Sequence, residues 1–458
     1  MSFNLNIDKH TTIHFIGIGG ISMSAIALLL KDHGYNVTGS DRSESDMVKT
    51  LKAKGIPVSI GQKKENIHEN SIIVYTFAVK EDNEEYIRSQ ELGLPMYSRA
   101  EFLGLVMKNY KYSIGVSGTH GKTTTTSMAS HVLLSGNTDP TLFVGGALDA
   151  INGNLRIGES EYFLTEACEY KESFLNFFPY IGIILNIDED HLDYYRDIHH
   201  IEEVFIKYAQ SIPKNGYLIM NNDDIRASKV INSCSCNKIT FGLKSGMVRA
   251  IDINYDSMGC GYFKVEYNNN TLGEIHLNIP GEHNIYNSLA AIASGIALNI
   301  PFNSIAEGLF DYKGTHRRFE IKGEVNGAIV VDDYAHHPTE IINALNAGRK
   351  LTKGKLYCAF QPHTYTRTHS LLKEFSECFG EADEVIVADI YAAREKDTGI
   401  INSQILSDKI KENNINCTYI GKLDAIAEYI APKLTEGDVL MLVGAGDINT
   451  IWEKIKNI

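Results

Sequence analysis

Short apolar runs alternate with helix-period stretches from one end of the chain to the other. TIHFIGIGG, ISMSAIALLLKDHG and YNVTGSD succeed one another from Thr12 to Asp41. They read as a buried strand, a glycine turn, an amphipathic helix closed by Gly34 and a second strand. Further strands are expected at 57–60 and 71–75, and this unit ends near residue 107. A second unit opens with YSIGVSGTHGKTTTTSMASHVLL, again strand, glycine loop and helix. Buried strands are expected at 162–165 and 181–185, each ending in polar residues. Alternation across 236–280 predicts antiparallel strands that turn at Asn268, Asn269 and Asn270, followed by a helix after GEHNIYN. A third unit begins after Gly314 to Arg318, with strands expected at 327–332, 355–360, 384–389, 416–420 and 438–443. Strand–helix alternation of this kind makes parallel sheets with crossover helices. The expected fold class is α/β, with Rossmann-like first and last domains around a phosphate-loop ATPase-like centre.

The length of 458 residues suits three domains. A formal charge of −14 argues against nucleic acid or an anionic membrane as partner, because both need a basic face. The seven cysteines are scattered, with no CxxC pair, which suits a reducing compartment rather than a disulfide framework. No basic-then-apolar leader opens the chain, and no apolar run approaches a membrane span. These features predict a cytoplasmic protein.

Gly118-Thr119-His120-Gly121-Lys122-Thr123 lies between a strand and a helix. In that context, backbone N–H groups and the helix N-terminus cradle phosphate oxygens. Lys122 would reach the β- and γ-phosphates, and the Thr123 hydroxyl would bind Mg²⁺. The strict GxxxxGK[ST] spacing is not met, since Val116 stands where the first glycine belongs. Glu166 and His191 follow the next two strands, where open α/β sheets gather ligands. An acid there is where a phosphate-loop enzyme holds its metal.

Gly17, Gly19 and Gly20 follow the first strand, and Asp41 ends the second. Ser22 replaces the third glycine of a dinucleotide fingerprint, so the loop signals a nucleotide-like diphosphate site. A dehydrogenase would also use such a loop, but it leaves GTHGKT, Glu166 and His191 without a purpose.

GIGG, GTHGKTTTT, EACE, NIDEDHLD, GEHNIYN, HRRFE, DDYAHHPTE and QPHTYTRT occur in that order. From about residue 12 to residue 455 the chain resembles the Mur ligases of peptidoglycan synthesis. GIGGISMSAIA, DDYAHHPTE and QPHTYTRT resemble the alanine-adding branch. The resemblance implies a UDP-sugar domain at 1–107, an ATP domain at 108–313 and an amino-acid domain at 314–458. It implies an ATP-dependent ligase that joins L-alanine to the lactyl carboxylate of UDP-N-acetylmuramate through an acyl phosphate, with Mg²⁺ or Mn²⁺ as cofactor. Gly17, Gly19, Gly20, Ser22, Ser40, Asp41 and Thr76 would hold the UDP-sugar. Gly118, Thr119, His120, Gly121, Lys122, Thr123 and Thr124 would hold the phosphates of ATP. His283, Asn284 and Asn287 would face adenine, and Arg318 and Asp333 the ribose or phosphates. The metal would fall to Thr123, Glu166 and His191. Tyr334, His336, His337, His363 and Arg367 would receive the amino acid, with Arg367 on its carboxylate. One of the histidines would orient the amine or accept its proton. Lys122, Glu166, His191 and Arg367 are the implied catalytic set, and residues 312–318 the implied hinge. The implied partners are the three small substrates, and the oligomeric state stays open. EACEY departs from the EADES form of part of the family, and Phe205 stands where sister ligases carry a carbamylated lysine. A recycling ligase that adds a whole tripeptide, or a non-catalytic UDP-sugar-binding protein, are the competing readings.

Overall fold

A computed structural model describes residues 3–456 except Arg394 and Thr398. Three sheets follow one another along the chain. The first has five parallel strands in the order Val58–Ile60, Asn36–Asp41, Thr12–Ile16, Ser71–Tyr75, Met96–Ser98. Helix Ile21–Asp32 crosses from the first strand to the second and buries Met23, Ile26, Leu29 and Leu30.

The central sheet has ten strands. Tyr112–Ser117 lies inside it, flanked by Ile181–Ile184 and Tyr162–Glu166, both parallel to it. Beyond Ile181–Ile184 come Tyr217–Asn221 and Asn237–Gly242, also parallel. The expected all-antiparallel region is therefore corrected at its start. Asn237–Gly242 continues the parallel sheet, and only Val248–Tyr255, Cys260–Tyr267 and Asn270–Pro280 form an antiparallel meander. Six residues of mixed burial carry too little periodicity to tell the two pairings apart.

The last sheet runs Glu320–Val325, Ala328–Asp333, Val439–Val443, Leu356–Phe360, Glu384–Ala388, Cys417–Gly421. Its first strand pairs antiparallel at the edge and was not among those expected from the sequence.

The sheets are joined in two different ways. One apolar cluster runs from the first sheet into the central one, taking in Phe15, Phe102, Tyr110, Phe163 and Phe174. Helix Arg99–Met107, started by the Ser98/Glu101 capping box, is the dock. Gly104 sits so close to the Asn176 carbonyl that a Cβ there would come within 2.0 Å of it. The last sheet instead packs its own two clusters, one on each face. It meets the central domain through the polar contacts described below. An apolar weld on one side and a polar interface on the other leave the C-terminal domain the less tightly coupled of the two. Residues 312–318 anchor that side. Thr315 is buried and its hydroxyl bonds Ser127, while Arg317 and Phe319 have φ of 61° and 49°. Among the described residues no helix is long and apolar enough to cross a membrane.

Candidate active site

The phosphate loop joins Tyr112–Ser117 to helix Lys122–Ser135. Gly118 and Gly121 have φ of 136° and 85°, a region that favours glycine. A Cβ on Gly121 would also lie 2.6 Å from Asn287 Oδ1. Asn186 pins the loop from the side: its Oδ1 accepts from the His120 N–H at 2.8 Å and its amide donates to the His120 carbonyl at 3.0 Å. Lys122 donates to the Thr119 carbonyl at 3.0 Å and to Glu169 Oε1 at 3.1 Å. Burial works against its charge, but Glu169 more than offsets this and pushes the ammonium upward.

A cavity of about 340 Å³ opens beside this loop. His120, Gly121, Thr124, His283, Asn284, Asn287, Arg318 and Asp333 all line it, as do Asn221, Asp224 and Arg226. The last three were missed in the sequence, although they follow a strand end as Glu166 and His191 do. Asn284 spends its side chain internally, on the Pro280 carbonyl at 2.7 Å and Asn287 at 3.0 Å. Burial holds His283 down at about 4, so it is neutral. Asp333 accepts from the N–H groups of Phe319 and Ala335 and shapes the turn after its strand. Arg318 reaches the Thr123 hydroxyl at 3.3 Å and lies over the Tyr334 ring, 5.0 Å from its centre.

A second cavity, about 470 Å³, is lined by Tyr170, Asp190, His191, Tyr334, His363 and Arg367, among others. Arg367 is already paired: its Nη2 lies 3.0 Å from Asp190 Oδ1. Burial opposes charge on Asp190, but His191 and Arg367 outweigh it and hold the carboxyl well below its usual range. His336 is 5.9 Å from the His363 ring, and burial brings both histidines down to about 4.

His337 departs from the expected role. It caps helix Pro338–Leu351: its Nδ1 accepts from the Thr339 N–H, which leaves Nε2 to donate to the Glu189 carbonyl at 2.9 Å. Both ring nitrogens are used, and neither His337 nor His336 is among the residues that line the second cavity. His120, Asp188 and His337 do bring possible ligand atoms within 4.8 Å of one another. With His337 fully bonded, that cluster is a domain contact rather than a metal centre.

A third cavity, about 550 Å³, is lined by Gly17, Gly20, Ser22, Asp41, Thr76 and Arg99 among others. Gly19 stands behind it and donates to Asp41 at 2.9 Å. Ser40 does not reach it. Neighbouring residues of a strand face opposite ways, so Ser40 turns inward where Asp41 turns out. Its buried hydroxyl donates to Glu85 at 2.5 Å.

Oxygen donors for a hard cation sit beside Lys122. Glu166 accepts from the Gly145 N–H at 2.8 Å, and His191 Nε2 lies 3.9 Å from Glu169. Glu169 was not among the candidates. It is buried, and its Oε2, an ion-pair partner of Lys122 at 3.0 Å, accepts no hydrogen bond. Thr123, Glu166 and Glu169 therefore offer oxygen donors of the kind Mg²⁺ takes, and His191 adds a nitrogen beside them. Among the described residues no hydrogen bond joins Thr123, Glu166 and His191 to one another. Phe205 is buried against Phe174, and Lys207 is exposed.

The three cavities adjoin along the chain, and the second and third share lining residues. Asp188 lines the first, and Asp190 and His191, two and three residues on, line the second. Ala393 and Glu395 line both the second and the third.

Three family models match in succession. They are the Mur ligase family catalytic domain at 12–111, the Mur ligase middle domain at 116–295 and the Mur ligase glutamate ligase domain at 317–446. A UDP-N-acetylmuramate–L-alanine ligase of Clostridium botulinum (strain Kyoto / Type A2) is 53% identical over 458 residues, with 100% of both chains covered. One of Clostridium acetobutylicum is 51% identical over 453 residues, 99% of each chain. The crystal structure of a UDP-N-acetylmuramate–alanine ligase of Thermotoga maritima superposes with a TM-score of 0.82 at 30% identity, covering 98% of this chain and 99% of that one.

Proposed function

The chain belongs to the Mur ligase family, and we propose that it joins L-alanine to the lactyl carboxylate of UDP-N-acetylmuramate at the expense of ATP, in cytoplasmic peptidoglycan precursor synthesis. The observation that carries this reading is the adjacency of the three cavities: Asp188 of the first stands two residues before Asp190 of the second, and Ala393 and Glu395 line the second and the third. A three-substrate ligation needs the nucleotide, the acceptor acid and the amine side by side.

The carboxylate is a poor electrophile. Its oxygen attacks the γ-phosphorus of ATP, and ADP leaves with the bonding electrons. The resulting acyl phosphate is attacked by the alanine nitrogen, which loses a proton, and phosphate departs from the tetrahedral intermediate. Lys122 and the loop N–H groups neutralise charge on the phosphates. Thr123, Glu166, Glu169 and His191 would hold Mg²⁺ or Mn²⁺, which when bound screens the carboxylate from the γ-phosphate. Arg367 takes the alanine carboxylate, with Asp190 keeping its guanidinium in place. His363, which lines the second cavity beside Arg367 and is neutral near pH 7, is the candidate to orient the amine or accept its proton. The UDP-sugar occupies the Gly17–Ser22 cavity, with Arg99, which donates to Ser22 at 3.1 Å, as an added cation.

The test is phosphate release from ATP and Mg²⁺ with and without each of the other substrates. Release that needs both UDP-N-acetylmuramate and L-alanine is expected. Release with a tripeptide in place of alanine would assign the recycling activity instead, and no release with either would leave a binding protein.

A further inference from the structure

Beside the Arg318–Thr123 hydrogen bond, residues 188–190 make three contacts with the C-terminal domain. Asp188 accepts from the Thr339 hydroxyl at 3.0 Å, the Glu189 carbonyl accepts from His337, and Asp190 pairs with Arg367. A further contact lands on the loop at His120. Glu340 Oε1 lies 3.2 Å from His120 Nδ1, while His120 Nε2 lies 3.3 Å from Asp188 Oδ2. The imidazole is thus held between a carboxylate of its own domain and one of the C-terminal domain, with the His337 ring 4.6 Å away.

We propose that Glu340 is a positioning residue for the ligation: it fixes His120, and through it the phosphate loop, only when the C-terminal domain has closed. The proposal rests on the ligase reading above. The two oxygens of Glu340 have separate partners. Oε2 accepts from the His336 N–H at 3.1 Å, an N-terminal bond that any helix would welcome. Oε1 reaches across to His120 and has no such local use. Pro338 at the helix start sets the direction of that turn, so the carboxylate arrives at the cavity with the domain. Asn186 bonds the N–H and the carbonyl of His120, so the main chain is held within the central domain and the imidazole is the part that Glu340 can set. Closure is therefore felt at the residue two before Lys122. The charged and titratable groups around the imidazole are Asp188, Glu340 and His337. The two carboxylates outweigh its burial and lift it to about 9, so the contact is a charge-assisted one at neutral pH. An open domain would leave His120 with Asp188 alone.

The experiment compares the full chain with Glu340→Gln, Glu340→Asp, His120→Gln and the double variant Glu340→Gln/His120→Gln. It measures kcat, the three KM values, unfolding temperature and the affinity for a fluorescent ADP analogue. A misplaced phosphate loop costs about 100-fold in rate. Glu340→Gln is expected to lower kcat by about that factor, leaving the KM for UDP-N-acetylmuramate and the unfolding temperature near wild type. Glu340→Asp should recover part of the loss. The double variant should be no slower than the worse single one, as coupled residues require. A Glu340→Gln enzyme with wild-type kcat would overturn the proposal. So would losses that multiply in the double variant, or a fall in kcat that merely tracks a fall in unfolding temperature. Should the wild type make no product with alanine, the ligase reading fails separately. The ADP analogue then decides: weakening by each single variant, non-additive in the double, sustains the coupling, and unchanged affinity sinks it.

Discussion

Arg367 faces Asp190 across the interface between the central and C-terminal domains, with Nη2 at 3.0 Å and Nε at 3.2 Å from one carboxylate oxygen, while Nη1 points toward His363 at 3.3 Å. Two edges of the guanidinium therefore do different work. One holds the domains together and the other faces the second cavity. On the proposed role of Arg367, removing the side chain takes away a charge-assisted hydrogen bond to the alanine carboxylate, about 1.5–3 kcal/mol. Arg367→Ala should accordingly raise the KM for alanine by about 10- to 100-fold and the KM for ATP much less. Equal rises in both constants, measured by initial rates, would mean that Arg367 acts only as a domain contact.

On the proposed mechanism Lys122 serves the phosphates rather than the sugar. Its Nζ lies among the loop carbonyls and Glu169, and among the described residues it lines none of the three cavities directly. Lys122→Ala should abolish ATP turnover while calorimetric binding of UDP-N-acetylmuramate persists. Turnover near the wild-type rate would remove the loop from the mechanism.

The proposed metal role of Glu166 can be tested apart from folding. The hydrogen bond that its side chain accepts from Gly145 survives replacement by the amide. Glu166→Gln should keep its unfolding temperature but need far more Mg²⁺ for half-maximal phosphate release. Chelation should silence the wild type, and Mg²⁺ or Mn²⁺ should restore it. A variant with an unchanged Mg²⁺ requirement would take Glu166 out of the metal site.

The phosphate loop and the strand–helix rhythm were legible in the sequence because they are local. A glycine turn between an apolar run and a helix start needs no distant partner. Ser40 and His337 were misread for the opposite reason. One residue of strand register decides whether Ser40 or Asp41 meets the cavity, and a histidine before Pro338 serves a helix cap as well as a ligand. Glu169, Glu340 and the Asp188-to-Asp190 run were missed as site residues. Their partners lie 47, 220, 151 and 177 positions away, and no periodicity reports such contacts. The edge strand Glu320–Val325 alternates too irregularly to stand out, with Gly323 at a register shift.

His120 gives a pH signature in stability. Its folded value is raised to about 9, so its contribution is fully present below its unfolded value and is lost as pH rises through about 9. The difference in unfolding temperature between wild type and His120→Gln should therefore be largest near pH 6 and shrink toward pH 10. A constant difference would mean that the Asp188 and Glu340 contacts do not hold the proton.

The most direct test of the account is the mass of the product. Purified protein is supplied with ATP, Mg²⁺, UDP-N-acetylmuramate and an equimolar mixture of L-alanine and the wall tripeptide. The account predicts one new nucleotide sugar, heavier by a single alanyl residue, formed in step with ADP. A product carrying the tripeptide, or ADP formed with the nucleotide sugar unchanged in mass, would contradict it.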